Sequence, residues 1–332
     1  MPGFIRNATV IRPGGGFLMP IQMISGKMPR ISAMTKPLVC RFCPTTPFIY
    51  THSRSEKTMP YQALVEAIRD TSRAHEDRLA DFLTFRAALE AGTIRAAVRD
   101  ENGQWQVNTW VKQGILAGFP LGEMQDVSVP GFPFFDKATY PVQSFRLEDR
   151  VRIVPGGTTI RSGAYVAPGV VCMPPSYINV GAYVDEGTMV DSHALVGSAA
   201  QIGKHVHLSA AAQIGGVLEP AGALPVIIED NVFVGGNCGV YEGCLIREGA
   251  VLASGVVLTG SSRVYDVVNE RVITRNAQGV LEIPAGAVLV PGSRPVDTPY
   301  GRTHGLSVAT PIIIKYRDAK TNAALALEEA LR

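Results

Sequence analysis

Between Val154 and Arg263 an aliphatic residue recurs at every sixth position, and the residue four places after it is usually small. This period fits neither the 3.6-residue turn of a helix nor the two-residue alternation of a half-buried strand. It is the pattern of a hexapeptide repeat, in which each unit supplies one short strand and one corner. The aliphatic positions are Val154, Ile160, Val166, Cys172, Ile178, Val184, Val190, Val196, Ile202, Leu208 and Ile214 and, after an interruption at residues 220–227, Ile228, Val234, Val240, Ile246, Leu252 and Leu258.

The repeat predicts a parallel β-helix with three strands in each coil. Because side chains alternate across a strand, the aliphatic residue points into the coil and its two neighbours point outward. The corners need backbone with positive φ, and the third place after the aliphatic residue is often Gly, as at Gly181 and Gly243. Known hexapeptide solenoids coil left-handed, although the period itself does not determine the handedness. We therefore expect a mainly β protein built on a left-handed parallel β-helix, with an α-rich N-terminal domain and a small C-terminal cap of strands and a helix.

The segments flanking the repeat have a different pattern, which divides the chain into four parts. A solenoid needs covered ends, so we expect the flanks to form caps and walls of a site. The expected parts are 1–58, a disordered or non-native extension; 59–143, a helical domain with a hairpin and a linker; 144–265, the β-helix with its loop at 220–227; and 266–332, the C-terminal cap. Within them we expect helical spacing over 60–97, a hairpin over 94–107, a short helix at 109–117, a linker at 118–143, strands at 280–283, 287–290 and 306–314, and a helix at 319–331.

Four large side chains precede successive aliphatic positions and should therefore face outward: Tyr177, Tyr183, Met189 and Leu195. An exposed apolar row of this kind usually marks an interface. The row predicts that prisms pack side by side, and we expect a homotrimer.

Charge is distributed unevenly along the chain. The formal net charge is +2, but residues 1–58 hold eight Lys or Arg and one acid, which leaves 23 basic and 28 acidic residues in the remainder. A net negative folded part argues against a nucleic-acid partner. No apolar run approaches the length that spans a membrane, so we expect no membrane partner either.

The basic first 58 residues could be a targeting peptide or a translated upstream stretch with the working start near Met59. Cys40 and Cys43 form a lone C-x-x-C there, with no second pair to complete a zinc site. The remaining cysteines, Cys172, Cys238 and Cys244, are expected to point inward as core thiols of a reducing compartment, which favours a cytoplasmic protein.

The run Gly181-Ala-Tyr-Val-Asp-Glu-Gly-Thr-Met-Val-Asp191 resembles the tetrahydrodipicolinate N-succinyltransferase family. The resemblance extends over about residues 80–331. It implies an enzyme of lysine and diaminopimelate biosynthesis that transfers a succinyl group from succinyl-CoA to a cyclic imine dicarboxylate, with no metal. Two alternative hypotheses remain: an enzyme of the same fold that uses acetyl-CoA or another amine acceptor, and a non-catalytic scaffold.

The resemblance also implies site residues. The family Arg falls on Arg152 of Arg152-Ile-Val-Pro155, and the family Asp falls on Asp191, which we expect to bind substrate and act in catalysis. A family acid is missing because its position is Gly239, so Glu242 of Val240-Tyr-Glu-Gly243 becomes the candidate second catalytic carboxylate.

The chemistry expected of these residues is simple. A carboxylate near the acceptor amine can take its proton, and a fixed Arg can hold a substrate carboxylate by two hydrogen bonds. Asp185 occupies the same outward place as Asp191 one repeat earlier, and only the resemblance separates the two. For the CoA thioester we expect Ser254, Gly255 and Thr259 along the groove and Lys204 at the phosphates, with Arg263 and Lys320 as further candidates.

Histidines are the other candidate bases in a hexapeptide protein. His193 and His205 take the corner place that other repeats give to Gly or Asn, so a turn residue with positive φ is the expected reading. His207 should point outward into the possible groove. These three histidines are twelve and two residues apart, which does not match the spacing in the three-histidine zinc site known on this type of prism.

Overall fold

The computed structural model describes residues 54–318, with side chains from residue 60 onward. Most of the expected extension (1–53), the Cys40 and Cys43 pair, the expected helix at 319–331 and Lys320 lie outside the described residues. Within the described range no helix is long and apolar enough to cross a bilayer.

The N-terminal domain contains three helices around an apolar core. Phe82, Phe85 and Ile115 are completely buried, and the ring of Phe82 meets that of Tyr140 edge to face at 5.4 Å. The helical spacing and the hairpin expected between residues 60 and 107 are confirmed, although the first helix already begins at Arg54. The elements are α1 (Arg54–Arg69), α2 (His75–Glu90), β1 (Ala97–Arg99), β2 (Trp105–Val107) and α3 (Thr109–Leu121).

The segment 118–143, expected as a linker, is more regular than that. Helix α3 continues to Leu121, and a second hairpin follows, made of β3 (Met124–Asp126) and β4 (Phe135–Lys137). The many Pro and Phe residues hid this hairpin, because Pro interrupts the period-2 pattern that reveals a strand.

The hexapeptide repeats form two-residue strands stacked in parallel. Each strand from β5 to β18 pairs with the strand three places later in the chain, and in uninterrupted coils the partners are eighteen residues apart, as Tyr183 and Gln201 are. The strands are β5 (Arg152–Ile153), β6 (Thr159–Ile160), β7 (Tyr165–Val166), β8 (Val171–Cys172), β9 (Tyr177–Ile178), β10 (Tyr183–Val184), β11 (Met189–Val190), β12 (Leu195–Val196), β13 (Gln201–Ile202), β14 (His207–Leu208), β15 (Gln213–Ile214), β16 (Ile227–Ile228), β17 (Phe233–Val234), β18 (Gly239–Val240), β19 (Leu245–Ile246), β20 (Val251–Leu252) and β21 (Val257–Leu258).

Three sheets make the three faces of a prism, so the β-helix predicted from the period is confirmed. Face 1 contains β6, β9, β12, β15, β18 and β21; face 2 contains β7, β10, β13, β16 and β19; and face 3 contains β5, β8, β11, β14, β17 and β20. The chain runs from face 3 to face 1 to face 2, and we name the corners between them edge 3–1, edge 1–2 and edge 2–3. From β6 onward the second residue of each strand points inward and is buried, as Ile178, Val190 and Ile202 are.

The first repeat departs from the period by one residue. Ile153, not Val154, is in register with the inward Cys172. The first corner therefore holds one residue more than the regular repeat, and the aliphatic position assigned to Val154 is wrong. Two consecutive aliphatic residues make this shift invisible in the sequence.

Two insertions leave the prism at the same corner, edge 1–2. The first adds eight residues between β15 and β16, because Ile202 pairs with Ile228. The second adds nineteen after β21, because Ile246 pairs with Ile283. The sheets then continue past residue 265, where we expected the β-helix to end. The C-terminal elements are β22 (Val264–Asp266), β23 (Arg271–Ile273), β24 (Glu282–Ile283), β25 (Ala287–Pro295), α4 (Pro299–Thr303) and β26 (Ser307–Tyr316). Strand β24 extends face 2 and β25 extends face 3.

The outward side chains expected to form one apolar row lie on three different faces. Tyr177 and Leu195 are neighbours on face 1, whereas Tyr183 is on face 2 and Met189 is on face 3. Successive repeats turn one face at a time, so residues six apart cannot share a face. Only residues eighteen apart can, and the row interpreted as a single patch was wrong.

Candidate active site

Arg152 and Asp191 belong to the same face of the prism. Arg152 on β5 is in register with Val171, which is in register with Met189 on β11, and Asp191 directly follows that strand. Two strand spacings of about 4.8 Å put the two positions about 10 Å apart along the prism. Arg152 is exposed and Asp191 is half-buried. A cation and an anion on the same face of the prism suit a substrate that carries both carboxylates and an amine.

One oxygen of the Asp191 carboxylate is held by the backbone. Oδ1 accepts a hydrogen bond from the amide of Ser192 at 2.7 Å. No side chain between residues 60 and 318 donates to the carboxylate. His193, with φ of 62°, then turns the chain onto face 1. Asp191 is therefore fixed at edge 3–1 with one oxygen open to accept a proton.

Asp185 is equivalent to Asp191 in the repeat but lies in a different environment. It follows β10 at edge 2–3, where its Oδ1 accepts the amide of Glu186 at 2.8 Å. It lines a cavity of about 200 Å³ that the N-terminal hairpin covers with Arg95, Arg99 and Trp105. The two carboxylates that the sequence could not rank are therefore on different edges.

Glu242 does not meet Asp191 within the chain. It lies at edge 1–2, with φ of 53°, and its Oε2 accepts the amide of Gly260 at 3.1 Å and a hydrogen bond from Arg275 at 3.3 Å. Both partners belong to the nineteen-residue insertion. Glu242 also lines a cavity of about 370 Å³ with Trp105, Arg247 and other polar residues. Its contacts hold the second insertion against the prism.

The place of the missing family acid is occupied by another side chain. A Cβ on Gly239 would lie 2.5 Å from Cε2 of Tyr241 and 2.9 Å from its hydroxyl oxygen. The Tyr241 ring therefore covers Gly239 on face 1. Sequence reasoning missed Tyr241, although its outward place two residues after Gly239 was a signal that the two could be coupled.

Three of the four residues expected to bind CoA follow one another along the last strand of face 1. Ser254 and Gly255 precede β21, and Thr259 follows it. Ser254 and Gly255 are exposed, and Gly255 lines a cavity of about 250 Å³ together with Val257 and Arg263. Thr259 is engaged locally, since its amide binds the Ser262 hydroxyl at 2.9 Å.

Asp191 and Gly255 share edge 3–1. Their corners follow strands β11 and β20, which are linked through β14 and β17. Three spacings of about 4.8 Å separate them by about 14 Å along the prism. This edge thus connects the candidate base with the candidate CoA strand.

Lys204 is not part of that group. It lies at edge 2–3, where its ammonium donates to Glu186 at 2.8 Å. This contact raises the pKa of Lys204 and lowers the pKa of Glu186. Both side chains are about half exposed, so the pair contributes little to stability.

The histidines are distributed as the corner pattern predicted. His193 and His205 have φ of 62° and 53° at their corners, so the turn reading is confirmed for both. His207 is on face 3 in register with Met189, but it is buried, and its ring meets that of Phe233 at 5.0 Å.

A buried carboxylate that sequence reasoning missed joins the two domains. Glu229 is 4% exposed and accepts hydrogen bonds from the indole of Trp105 at 2.8 Å, from Arg247 at 3.0 Å and from the Glu248 amide at 3.0 Å. Arg99 forms an ion pair with it at 2.9 Å. The sequence shows only that Glu229 directly follows an apolar strand, and an acid at that place is normally a solvated corner residue.

The cysteines of the prism are inert. Cys172, Cys238 and Cys244 are buried and free, as expected from their inward places. Burial raises the pKa of the Cys172 and Cys244 thiols to about 12, so neither is a nucleophile at neutral pH. Among residues 54–318 no group of three or more His, Cys, Asp or Glu side chains could hold a metal ion.

Comparison with known families gives two matches. A model described as the N-terminal part of tetrahydrodipicolinate N-succinyltransferase matches residues 62–121, and a model of the hexapeptide repeat of succinyl-transferase matches residues 225–260. These matches confirm the resemblance found in the sequence.

Curated relatives agree with those matches over part of their length. A 2,3,4,5-tetrahydropyridine-2,6-dicarboxylate N-succinyltransferase from Azoarcus is 46% identical over 100 residues, which are 29% of this chain and 35% of that protein. The protein of the same name from Xylella fastidiosa strain 9a5c is 39% identical over 122 residues, 35% of this chain and 41% of that protein. The chain thus spans about two fifths or less of the length of these relatives.

A crystal structure provisionally assigned as a tetrahydropyridine-2-carboxylate N-succinyltransferase from Campylobacter jejuni is 15% identical, with a TM-score of 0.39. The match covers 70% of this chain and 62% of the Campylobacter chain.

Proposed function

We propose that the protein transfers a succinyl group from succinyl-CoA to the amine of hydrated tetrahydrodipicolinate, which gives N-succinyl-2-amino-6-oxopimelate and CoA. The observation that carries this proposal is the match of residues 62–121 to the N-terminal model of that enzyme. Hexapeptide prisms are common to many acyltransferases, so the repeat alone would support only the reaction class. The N-terminal match supports tetrahydrodipicolinate as the acceptor and succinyl-CoA as the donor.

Asp191 is the proposed general base. In acyl transfer the amine nitrogen attacks the thioester carbonyl, the carbon–sulfur bond breaks, and the nitrogen loses its proton. The open oxygen of Asp191 can accept that proton, while the hydrogen bond from the Ser192 amide keeps the carboxylate in one orientation. The CoA sulfur leaves as thiolate and is protonated by solvent.

Arg152 is the proposed anchor of the substrate. A guanidinium can bind a carboxylate with two parallel hydrogen bonds, and this fixes the direction of the acceptor as well as its position. Arg152 lies two coils from Asp191 on the same face. A dicarboxylate held at one end by Arg152 would present its ring nitrogen toward Asp191, and holding reactants in this way lowers the barrier without any covalent step.

The proposed path of the CoA thioester follows edge 3–1 to the last strand of face 1. Ser254 and Gly255 line it, Thr259 ends it, and Arg263 is close to the same cavity. The outer edge of β21, the last strand of face 1, is unpaired within that sheet and can pair with the amide groups of the pantetheine arm. Lys204, which lies on another edge and is paired with Glu186, would have to reach the phosphates from a neighbouring subunit.

Glu242 is a weaker candidate for catalysis than Asp191. It is bound to the Gly260 amide and Arg275, and those contacts give it a structural task in the chain. We retain it as a second carboxylate only for a site formed between subunits. We also propose the homotrimer and the cytoplasm as assembly and location, since neither follows from a single chain.

A thiol-release assay tests this function directly. Purified protein is given tetrahydrodipicolinate with succinyl-CoA or with acetyl-CoA, and free CoA is measured over time, with each donor also incubated without acceptor. We expect acceptor-dependent release that is faster with succinyl-CoA. Equal or faster release with acetyl-CoA would support an enzyme of the same fold with another donor. No release with either donor would favour the hypothesis of a non-catalytic scaffold.

A further inference from the structure

The hairpin formed by β3 and β4 extends beyond its two short strands into a regular tip. The amide of Val127 donates to the carbonyl of Phe134 at 3.0 Å, and Val129 and Phe132 exchange two hydrogen bonds of 3.0 and 2.8 Å. Gly131, with φ of 84°, completes the turn between them. The tip is therefore one continuous antiparallel ladder.

The ladder brings four apolar side chains to one face of the hairpin, which we call the tip face: Val127, Val129, Phe132 and Phe134. They form the cross-strand pairs Val127 with Phe134 and Val129 with Phe132. The two phenyl rings are stacked, 6.3 Å apart and nearly parallel. All four remain between 46% and 63% exposed. Cross-strand apolar pairs stabilise a hairpin most when a further layer covers them.

The base of the hairpin is fixed firmly to the prism. Nη2 of Arg161 donates to both oxygens of Asp136 at 2.6 Å, and Lys137 donates to the carbonyl of Gly122 at 3.1 Å. The Arg161 guanidinium also lies over the rings of Phe119 and Tyr140. Arg161 follows β6, the first strand of face 1, so the hairpin starts at one end of that face.

The tip face is large enough to matter energetically. A phenyl side chain buries 150–250 Å² when it is fully covered, so the two half-exposed rings and the two valines offer roughly 300–400 Å² of apolar surface. A stable interface buries about 800 Å² on each partner, so the tip face would supply up to about half of that area. A two-stranded hairpin is only marginally stable in water without such cover.

The charges around the tip identify the kind of partner. Residues 123–135 contain Glu123 and Asp126 and no Lys or Arg. An anionic membrane surface or a nucleic acid would need basic residues at the contact. The partner must instead be an apolar protein surface.

The prism itself has such a surface on face 1. On face 2, Tyr183 is covered by Arg95, 3.4 Å above its ring, and on face 3 Val171 and Val251 are buried. On face 1, Tyr177 and Leu195 are neighbours that are only half-buried, and Val257 is 51% exposed. The hairpin base is held at the β6 end of this face by the Arg161–Asp136 pair, so the tip and face 1 lie on the same side of each chain's first coil.

We propose that the tip face of each chain packs on face 1 of a second copy, as a clasp between subunits. The proposal rests on the homotrimer proposed above and names the segment that closes it. In a closed ring of subunits related by rotation, the tip face of each subunit can pack on face 1 of the next, because each subunit has one of each surface.

Photo-cross-linking tests the clasp. The full chain is prepared with p-benzoylphenylalanine in place of Phe132, irradiated at micromolar concentration, and analysed by denaturing gel and by mass spectrometry of the joined peptides. We expect covalent dimers and trimers whose linked peptides contain Tyr177 or Leu195. The control carries the same amino acid in place of Tyr300, an aromatic residue of α4 that is 70% exposed, and should give none.

A second measurement separates the clasp from the trimer. Sedimentation of the double variant Phe132→Ser, Phe134→Ser should show at least tenfold weaker association than the unaltered chain, with Tyr300→Ser unchanged. An oligomer without cross-links from position 132, or one unaffected by the double variant, would overturn the clasp and leave the trimer standing. A monomer of the unaltered chain would overturn both.

Discussion

Replacing Glu229 by Ala should separate the N-terminal hairpin from the prism and cost about 3–5 kcal/mol of folding free energy, the range found when one partner of a buried charged network is removed. The carboxylate is 4% exposed and receives the Trp105 indole, two arginines and a backbone amide. Without it the indole N–H and the Glu248 amide lose their acceptor, at about 1–3 kcal/mol each.

The arginines limit the loss. Arg99 is about half exposed and can return to water, and Arg247 keeps its bond to Glu282 at 2.7 Å. The cost should therefore come chiefly from the two uncharged donors. On that reasoning Trp105→Phe, which removes one donor and keeps a smaller aromatic ring, should cost about 1–2 kcal/mol through the lost hydrogen bond.

Tryptophan fluorescence during urea unfolding measures both changes. The chain has two tryptophans, Trp105 and Trp110, and both belong to the N-terminal domain. Glu229→Ala should lower the transition midpoint and shift the emission of the folded state to longer wavelength, because Trp105 loses its partner. Glu186→Ala is the matched control: it removes a half-exposed ion pair and should cost less than about 1 kcal/mol. If Glu229→Ala costs no more than Glu186→Ala, the network does not join the domains.

Two further predictions concern pH. Burial lowers the pKa of Lys112 to about 8, so below that pH the folded protein is destabilised by a buried charge. Between about pH 8 and pH 10.5 the folded protein has lost this proton while the unfolded chain still binds it, so the free energy of unfolding rises with pH. The rise should be about 2–3 kcal/mol between pH 7 and pH 10, and Lys112→Met should lack it. Burial tends to raise the pKa of Asp266, but hydrogen bonds from Asn269, Tyr316 and Arg271 outweigh it and hold the pKa at about 2. The stability it contributes is complete above about pH 4 and is lost as pH falls toward 2, so Asp266→Asn should be about 2 kcal/mol less stable at pH 7 and nearly equal at pH 2. A stability difference that does not change with pH would contradict either prediction.

The sequence determined the prism more reliably than its attachments. A strict six-residue period is repeated over a long stretch, so the inward places of Ile178, Val190 and Ile202 could be predicted individually. The extra residue in the first corner could not, because Ile153 and Val154 are both aliphatic. The first insertion was visible only as a gap in the period and the second only as its end, and neither signal shows which edge an insertion leaves from or what it contacts.

The candidate site illustrates the same limit at the level of single residues. Asp191 and Asp185 have equal places in the repeat, yet only the structure assigns them to edges 3–1 and 2–3. The coupling of Gly239 with Tyr241 depends on the direction of a side chain, which the period does not determine. Two of the partners of Glu229, Trp105 and Arg99, are more than a hundred residues away in the chain, and such contacts follow from packing alone.

The turnover of Asp191→Asn tests the central claim, that a carboxylate at edge 3–1 takes the proton of the acceptor amine. The substitution keeps the shape of the side chain and removes its basicity. We expect kcat to fall by about 100-fold or more, the scale of a lost general base, while binding of CoA and thermal stability are unchanged. Asp185→Asn, at the equivalent place on edge 2–3, should keep most of the activity. Near-normal turnover of Asp191→Asn, or equal losses in both variants, would contradict the role given to Asp191.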